Sequence, residues 1–265
     1  MVNKEVRQAL DMSLDKQKII DDVLYGYGSI AYGPVPQDKI LSSTTTQTNT
    51  SNTTASSSAE TLLWKNGWRI NSQTGIMEKT VKKQTSKLSL SISTANTPEL
   101  VKTARIVGDT WKALGAQVDI RIFELSDLNQ SVIRPRKYNS LLFGTITGRQ
   151  PDLYAFWHSS QRNDPGLNIA MYANSNADKI LEDMRKAKDE TEQVKDYALF
   201  QQEINKDTPA VFLYTPDFIY AVPEFLKGVR LDEVVTPSDR FANVYEWYVK
   251  TDKVWNVFAK DKTIN

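Results

Sequence analysis

Between residues 88 and 122 the apolar residues follow a pattern that few folds accept. Leu88, Leu90 and Ile92 alternate with Ser89, Ser91 and Ser93, the two-residue period of a strand buried on one face. Thr97-Pro98-Glu99 then opens a helix with a capping threonine, a proline at the first position and an acid in the first turn. Val101, Ala104, Val107, Trp111 and Leu114 share one helical face, Gly115 ends the helix, and Val118, Ile120 and Ile122 resume the strand period. A strand, a helix and a strand within about 35 residues predict two parallel strands joined by a right-handed crossover.

The flanking sequence extends this unit into a lobe. Ser140-Leu141-Leu142-Phe143-Gly144-Thr145-Ile146 is an apolar run of strand length, as expected for a strand covered on both faces. Residues 126–134 predict a short helix, and 176–187 and 191–206 predict two more, the last breaking before Pro209; Ala210-Val211-Phe212-Leu213-Tyr214 predicts a further strand. Near the start, Val6, Ala9, Leu10 and Leu14 lie on one helical face, and Ile19, Ile20, Val23 and Leu24 on a second helix capped by Asp15. Residues 25–36 hold three glycines, two prolines and three tyrosines and read as a loop. Residues 60–67 predict a short helix, and the turn Asn71-Ser72-Gln73-Thr74-Gly75 a hairpin. Met12 and Met184 fall at core spacing. The fold class is α/β, a mixed sheet with flanking helices.

Residues 42–58 are Ser, Thr, Asn or Gln at every position except Ala55, so little there offsets the entropy of ordering, and the tract is expected to be a disordered insertion.

The residue inventory removes most catalytic chemistries. With no cysteine and one histidine, His158, the chain has no disulfide, thiolate nucleophile, Cys-type zinc site or multi-histidine metal site, and no cofactor is expected. Neither a G-x-x-x-x-G-K-[ST] loop nor a G-x-G-x-x-G turn occurs, and no G-x-S-x-G turn exposes a serine. Thirty-three basic against thirty-two acidic residues give a formal net charge of +1, which supplies no global field for nucleic acid. Residues 1–6 lack the apolar core of a signal peptide.

Seven stretches resemble, in order, the oligopeptide/dipeptide/nickel-type (family 5) solute-binding proteins of ABC importers. They are residues 6–20, Tyr32-Gly33-Pro34-Val35-Pro36, Leu62-Leu63-Trp64-Lys65-Asn66-Gly67-Trp68, residues 111–118, residues 151–160 around Tyr154-Ala155-Phe156-Trp157-His158, residues 172–181, and Pro209-Ala210-Val211-Phe212-Leu213-Tyr214. The resemblance implies one lobe of a two-lobe periplasmic-binding-protein-like fold. By that resemblance, residues 1–215 form the second, C-terminal lobe, and 216–265 an aromatic-rich segment that packs on the N-terminal lobe, which is missing from this chain. It further implies an extracytoplasmic protein, with export signal and lipid anchor outside this chain, that delivers a peptide or other small solute to an ABC-transporter permease.

Such proteins hold solute in a cleft between two lobes that close by hinge bending, so the residues required are donors, acceptors and aromatic walls. The junction from Gly144 to Asp152 lies beyond the carboxyl end of a strand, where open α/β sheets place ligands. In peptide-binding relatives the position matching Thr147 is often an aspartate that pairs with the peptide's amino group, and the one matching Gly144 is often tryptophan; this sequence has neither. Losing that carboxylate removes a bond worth roughly 1.5–3 kcal/mol. Thr145 and Thr147 remain as polar candidates, and Arg149 offers its fork of donors to an anionic group. Asp152 reads either as a cap of the turn after Pro151 or as a ligand contact. Trp157 and His158 read as packing groups or as cleft lining. Tyr32 sits in a loop whose tyrosines pack on the lobe or face the ligand, and Tyr214 sits at a strand end near the hinge, where it either lines the cleft or does not. Two other readings make different predictions. A carboxylate-based hydrolase, such as a glycoside hydrolase, needs two carboxyl groups across one pocket. An interaction module with the Ser/Thr tract as linker needs separate cores on either side of it.

Overall fold

The computed structural model describes residues 3–35, 52–146, 152–230, 234 and 236–250. The chain divides into two compact units, Met1–Pro216 and Asp217–Asn265.

The first unit opens with α1 (Lys4–Met12) and α2 (Lys16–Leu24), the second capped by the Asp15 carboxylate, which accepts from Lys18 N at 3.0 Å. The following segment is not wholly a loop. Gly28–Ile30 forms β1, and Gly28 is required there because a Cβ would lie 2.8 Å from Leu24 Cδ1 and 3.0 Å from the Thr215 carbonyl. Asn52–Lys65 forms α3, so the polar tract is helical from Asn52 onward. The apolar residues that follow the tract supply the reason, since Ala59 and Leu63 are fully buried in the main core and anchor the helix. The rest of the tract, 42–51, lies outside the described residues.

Three short strands follow: β2 (Arg69–Ile70), β3 (Met77–Val81) and β4 (Gln84–Lys87) form an antiparallel ribbon. Its first turn is the expected one: Asn71 Oδ1 accepts from Gln73 N at 2.9 Å, and Asn71 N donates to the Ile76 carbonyl at 2.9 Å.

The central unit is β5 (Ser89–Ala95), α4 (Pro98–Ala113) and β6 (Gln117–Phe123), followed by α5 (Leu125–Asp127), a π-turn at Leu128–Ile133 and β7 (Ser140–Leu142). The sheet order is β6-β5-β7, all parallel, with Ile92 opposite both Ile120 and Ser140. The two strands are therefore parallel as predicted, but the strand environments expected for β5 and β7 are exchanged. β5 is central, with α4 and the Leu128–Ile133 turn packed against it, so Ser91 and Ser93 are 3% and 2% exposed rather than solvated. Burial is tolerated because the polar atoms are paired: Ser91 Oγ donates to Asn139 Oδ1 at 3.1 Å and Thr94 Oγ1 to the Leu142 carbonyl at 3.1 Å. β7, expected to be covered on both faces, is a three-residue edge strand and is only half-buried.

Beyond it lie α6 (Leu153–Trp157), a short 3₁₀ turn (Ser159–Gln161), α7 (Ser175–Lys186), α8 (Glu190–Asp207) and β8 (Tyr214–Pro216). The predicted strand 210–214 is shifted, because only the residues from Tyr214 pair with β1, antiparallel. A single core joins Val6, Leu10 and Ile19, before the tract, with Leu63, Leu90, Trp111 and Leu114 after it, which excludes the two-core module. A second cluster, under α6, α7 and α8, holds Val35, Leu153, Leu181 and Phe200. Met184 is buried there, whereas Met12 is exposed at the open end of α1. Asn168, fully buried, staples the loop between them: its Nδ2 donates to the carbonyls of Trp157, His158 and Tyr172, and its Oδ1 accepts from Tyr172 N.

The second unit holds β9 (Leu226–Lys227) paired antiparallel with β10 (Tyr248–Val249). Phe218, Tyr220, Trp247 and Phe241 form a chain of rings at centroid spacings of 6.4, 6.5 and 5.7 Å. Among its described residues no apolar side chain is buried; Asn243, bonded to Trp247 Nε1 and the Gly228 carbonyl, is the buried one.

Candidate functional site

The strand order fixes where a ligand crevice forms. From β5 the chain passes to β6 on one side and then crosses to β7 on the other, so the direction of winding reverses at β5, and the crevice lies beyond the carboxyl ends of the strands. There the chain leaves β5 through Ala95-Asn96, β6 through Phe123-Glu124 and β7 through Phe143-Gly144-Thr145-Ile146. Asn96 N donates to the Phe123 carbonyl at 2.7 Å and its Nδ2 to Glu124 Oε1 at 2.8 Å, which fixes an exposed amide and carboxylate at the rim. Leu125, Phe143 and Ile146 stand 61%, 40% and 84% exposed around it. These exposed apolar groups and the paired Asn96 and Glu124 mark the strand ends as the candidate site.

Of the predicted residues, Thr145 is exposed just past the carboxyl end of β7. Thr147 and Arg149 lie outside the described residues. Asp152 is engaged elsewhere: its Oδ1 accepts from Arg185 Nε at 3.0 Å and its Oδ2 from Arg185 Nη2, and this pairing, ahead of any other influence, holds the Asp152 carboxyl below its ordinary range. Trp157 packs in the second core, 6.3 Å from the rings of both Tyr172 and Phe200 and 5.8 Å from Phe212. Tyr214 belongs to the first core, its hydroxyl 3.0 Å from Oγ1 of the fully buried Thr103. Tyr32 is half-buried, and its carbonyl accepts from Gln201 Nε2 at 3.0 Å. Asn96 and Glu124 escaped the sequence reading because strand order, not local pattern, brings them together.

The segment that enters α6 is clamped onto α7. The Arg185 guanidinium lies 3.7 Å from the centre of the Tyr154 ring, which stacks on His158 at 4.0 Å. Ser160 N donates to His158 Nδ1 at 3.2 Å, and Nε2 faces Glu182 Oε1 at 3.6 Å and Asp178 Oδ1 at 3.9 Å. His158 is thus the packing group that one of its two readings anticipated.

Other concavities offer less. A depression of about 630 Å³ between α1 and α3 is lined by Gln8, Met12, Thr61, Leu62 and Lys65, with the single carboxylate of Asp11, which pairs with Lys16 at 2.9 Å. A shallow one between α7 and α8 holds Asp183, Glu192 and Asp196 beside Lys186 and Lys195. Partial burial, then Asp183, pushes the Asp196 carboxyl up. Among the described residues no group of three or more acidic or histidine side chains is placed to hold a metal ion, and no helix is long and apolar enough to cross a membrane.

This arrangement, a parallel βαβ unit with helices packed on the sheet, is part of the periplasmic-binding-protein-like α/β fold. The chain belongs to the bacterial extracellular solute-binding proteins, family 5, whose middle-region model matches residues 1–167. It is 29% identical over 249 residues to the oligopeptide-binding protein AppA of Bacillus subtilis, covering 93% of this chain and 44% of that protein. The structure of AppA from Bacillus subtilis in complex with a nonapeptide superposes with a TM-score of 0.72 at 27% identity, over 94% of this chain and 48% of that one. NikZ from Campylobacter jejuni, in complex with Ni(L-His), gives 0.73 at 25% identity, over 94% and 49%. The chain thus spans about half the length of the relatives it matches.

Proposed function

We propose that this chain supplies one wall of the solute cleft of an extracytoplasmic ABC-importer binding protein, and that its solute is an oligopeptide. The observation that carries this reading is the rim of exposed Phe143, Ile146 and Leu125 with Asn96, Glu124 and Thr145 at the strand ends. Apolar walls with sparse polar anchors suit a peptide, whose backbone supplies hydrogen bonds while its side chains vary. Glu124 offers a carboxylate to a cationic group of the solute, in place of the aspartate that position 147 lacks. In this reading the aromatic-rich second unit packs on the opposite lobe, and Thr147 and Arg149, outside the described residues, are further candidates for solute contact. The protein passes its solute to a permease and makes or breaks no bond.

A ligand held by one wall keeps much of its surface in water yet still meets an association cost of ~4 kcal/mol or more. A deficit of ~4 kcal/mol weakens binding roughly a thousandfold, from micromolar to millimolar. Calorimetric titration of this chain with nonapeptides tests the proposal. It predicts millimolar binding, weakened further by Phe143→Ala, with the peptides intact afterwards. Micromolar affinity indifferent to Phe143→Ala, or cleaved peptide, contradicts it.

A further inference from the structure

The charge of the first unit is unevenly placed. Between residues 69 and 87, the β2–β3–β4 ribbon, stand Arg69, Lys79, Lys82, Lys83 and Lys87 against Glu78 alone, a local net charge of plus four in a chain whose formal total is +1. Lys79 reaches Glu5 at 3.8 Å, and Glu78 accepts from Asn71 Nδ2 at 3.1 Å. Lys82, Lys83 and Lys87 form no ion pair among the described residues. Every residue from 80 to 87 is exposed, so the distal half of the hairpin projects from the lobe without a buried face. Its turn is made by Lys82 and Lys83, both left-handed, at φ 50° and 69°. Two-residue hairpin turns of this kind favour Asn-Gly, and two lysines strain the backbone where they concentrate charge. Val81, 55% exposed, stands directly beside them.

We infer that this hairpin tip is a docking surface for an anionic phospholipid bilayer. The cations at the tip are lysines, compact charges on flexible stems, which suit a diffuse negative surface; a folded acidic partner is matched better by the rigid donor fork of arginine. The ribbon's arginine is not free for that role, since Arg69 Nη1 donates to the carbonyls of Trp64 and Trp68. An exposed valine beside paired lysines supplies the apolar contact that enters the headgroup region. Each lysine near such a surface strengthens binding about fivefold, and the attraction decays within a Debye length, ~10 Å at 0.1 M salt.

Sedimentation of the chain with vesicles of equal parts phosphatidylglycerol and phosphatidylcholine tests this. Lys82→Asn/Lys83→Gly removes both charges while installing the turn's preferred residues, so loss of binding cannot be loss of the hairpin. The expected result is binding at 0.1 M salt that vanishes at 1 M, falls roughly 30-fold in the double variant, and survives the control Lys179→Gln/Lys195→Gln. Equal binding to pure phosphatidylcholine, a double variant within about threefold of the unaltered chain, or salt-sensitive capture of polyglutamate in place of vesicles overturns the inference, the last by assigning the ribbon to an acidic protein.

Discussion

The indole Nε1 of Trp111, on α4, donates to the backbone carbonyl of Leu10, on α1, at 3.0 Å. Leu10 lies in the last turn of α1, where carbonyls have no partner within the helix, and Ser13 Oγ supplies a second donor at 2.9 Å. The bond spans 101 residues of sequence and ties the crossover helix to the start of the chain. Trp111→Ala opens a cavity in the main core and should cost roughly 3–5 kcal/mol in urea unfolding. Trp111→Phe should cost less, since it keeps most of the volume and loses one hydrogen bond of ~1 kcal/mol. An unchanged midpoint in the alanine variant would contradict the assignment of Trp111 to the core.

Asn168 predicts a different signature. Its side chain satisfies three carbonyls and one amide inside the second core. Asn168→Leu leaves those groups buried and unpaired, so it should destabilise by about 2–4 kcal/mol despite being more apolar. A leucine variant as stable as the original protein would mean that the loop rearranges to find other partners.

Two aspartates of α8 should show opposite pH signatures. Partial burial and then Asp183 raise the Asp196 carboxyl. Its folded form therefore holds a proton more tightly than the unfolded chain, and stability is lost as pH rises from the ordinary carboxylate value through the raised one. Burial also pushes Asp207 up, but the bonds from Asn174 Nδ2 at 2.7 Å and the Tyr172 hydroxyl at 2.8 Å, with Lys4 and Lys206, outweigh it and hold the carboxyl below its ordinary range. Its contribution is present above that ordinary range and lost as pH falls through the depressed value. Asp196→Asn should therefore raise the urea midpoint at pH 7, Asp207→Asn should lower it, and both differences should shrink at pH 3. The same sign for both variants would contradict the assignment.

Much of this lobe was legible because its signals are local. Pro98 and Glu99 in the first turn, the Gly115 stop and the two-residue periods around them specify β5, α4 and β6, and Gly115 has the expected positive φ of 95°; Thr97 stands at the N-cap position, but its side chain makes no capping bond. What failed depended on neighbours. Ser91 and Ser93 read as a solvated face because polarity was taken for exposure, whereas two flanking strands bury them and Asn139 pairs with the Ser91 hydroxyl. Phe143 and Ile146 read as buried because apolar residues were taken for core, yet they lie exposed beyond the end of the edge strand β7. The crevice was anticipated after one strand, but its Asn96–Glu124 rim required knowing that β6 and β7 lie on opposite sides of β5. Helicity from Asn52 came from Ala59 and Leu63 downstream, which a composition argument confined to the tract did not weigh.

The central claim is that solute meets this chain at the carboxyl ends of β5, β6 and β7. Hydrogen–deuterium exchange with and without a nonapeptide at millimolar concentration tests it most directly. The account predicts slowed exchange in the segments carrying Asn96, Glu124 and residues 143–146, with the α1–α3 depression and the α7–α8 surface unchanged. Protection confined to α1 and α3, or to the segments of α7 and α8 carrying Asp183, Glu192 and Asp196, would contradict it.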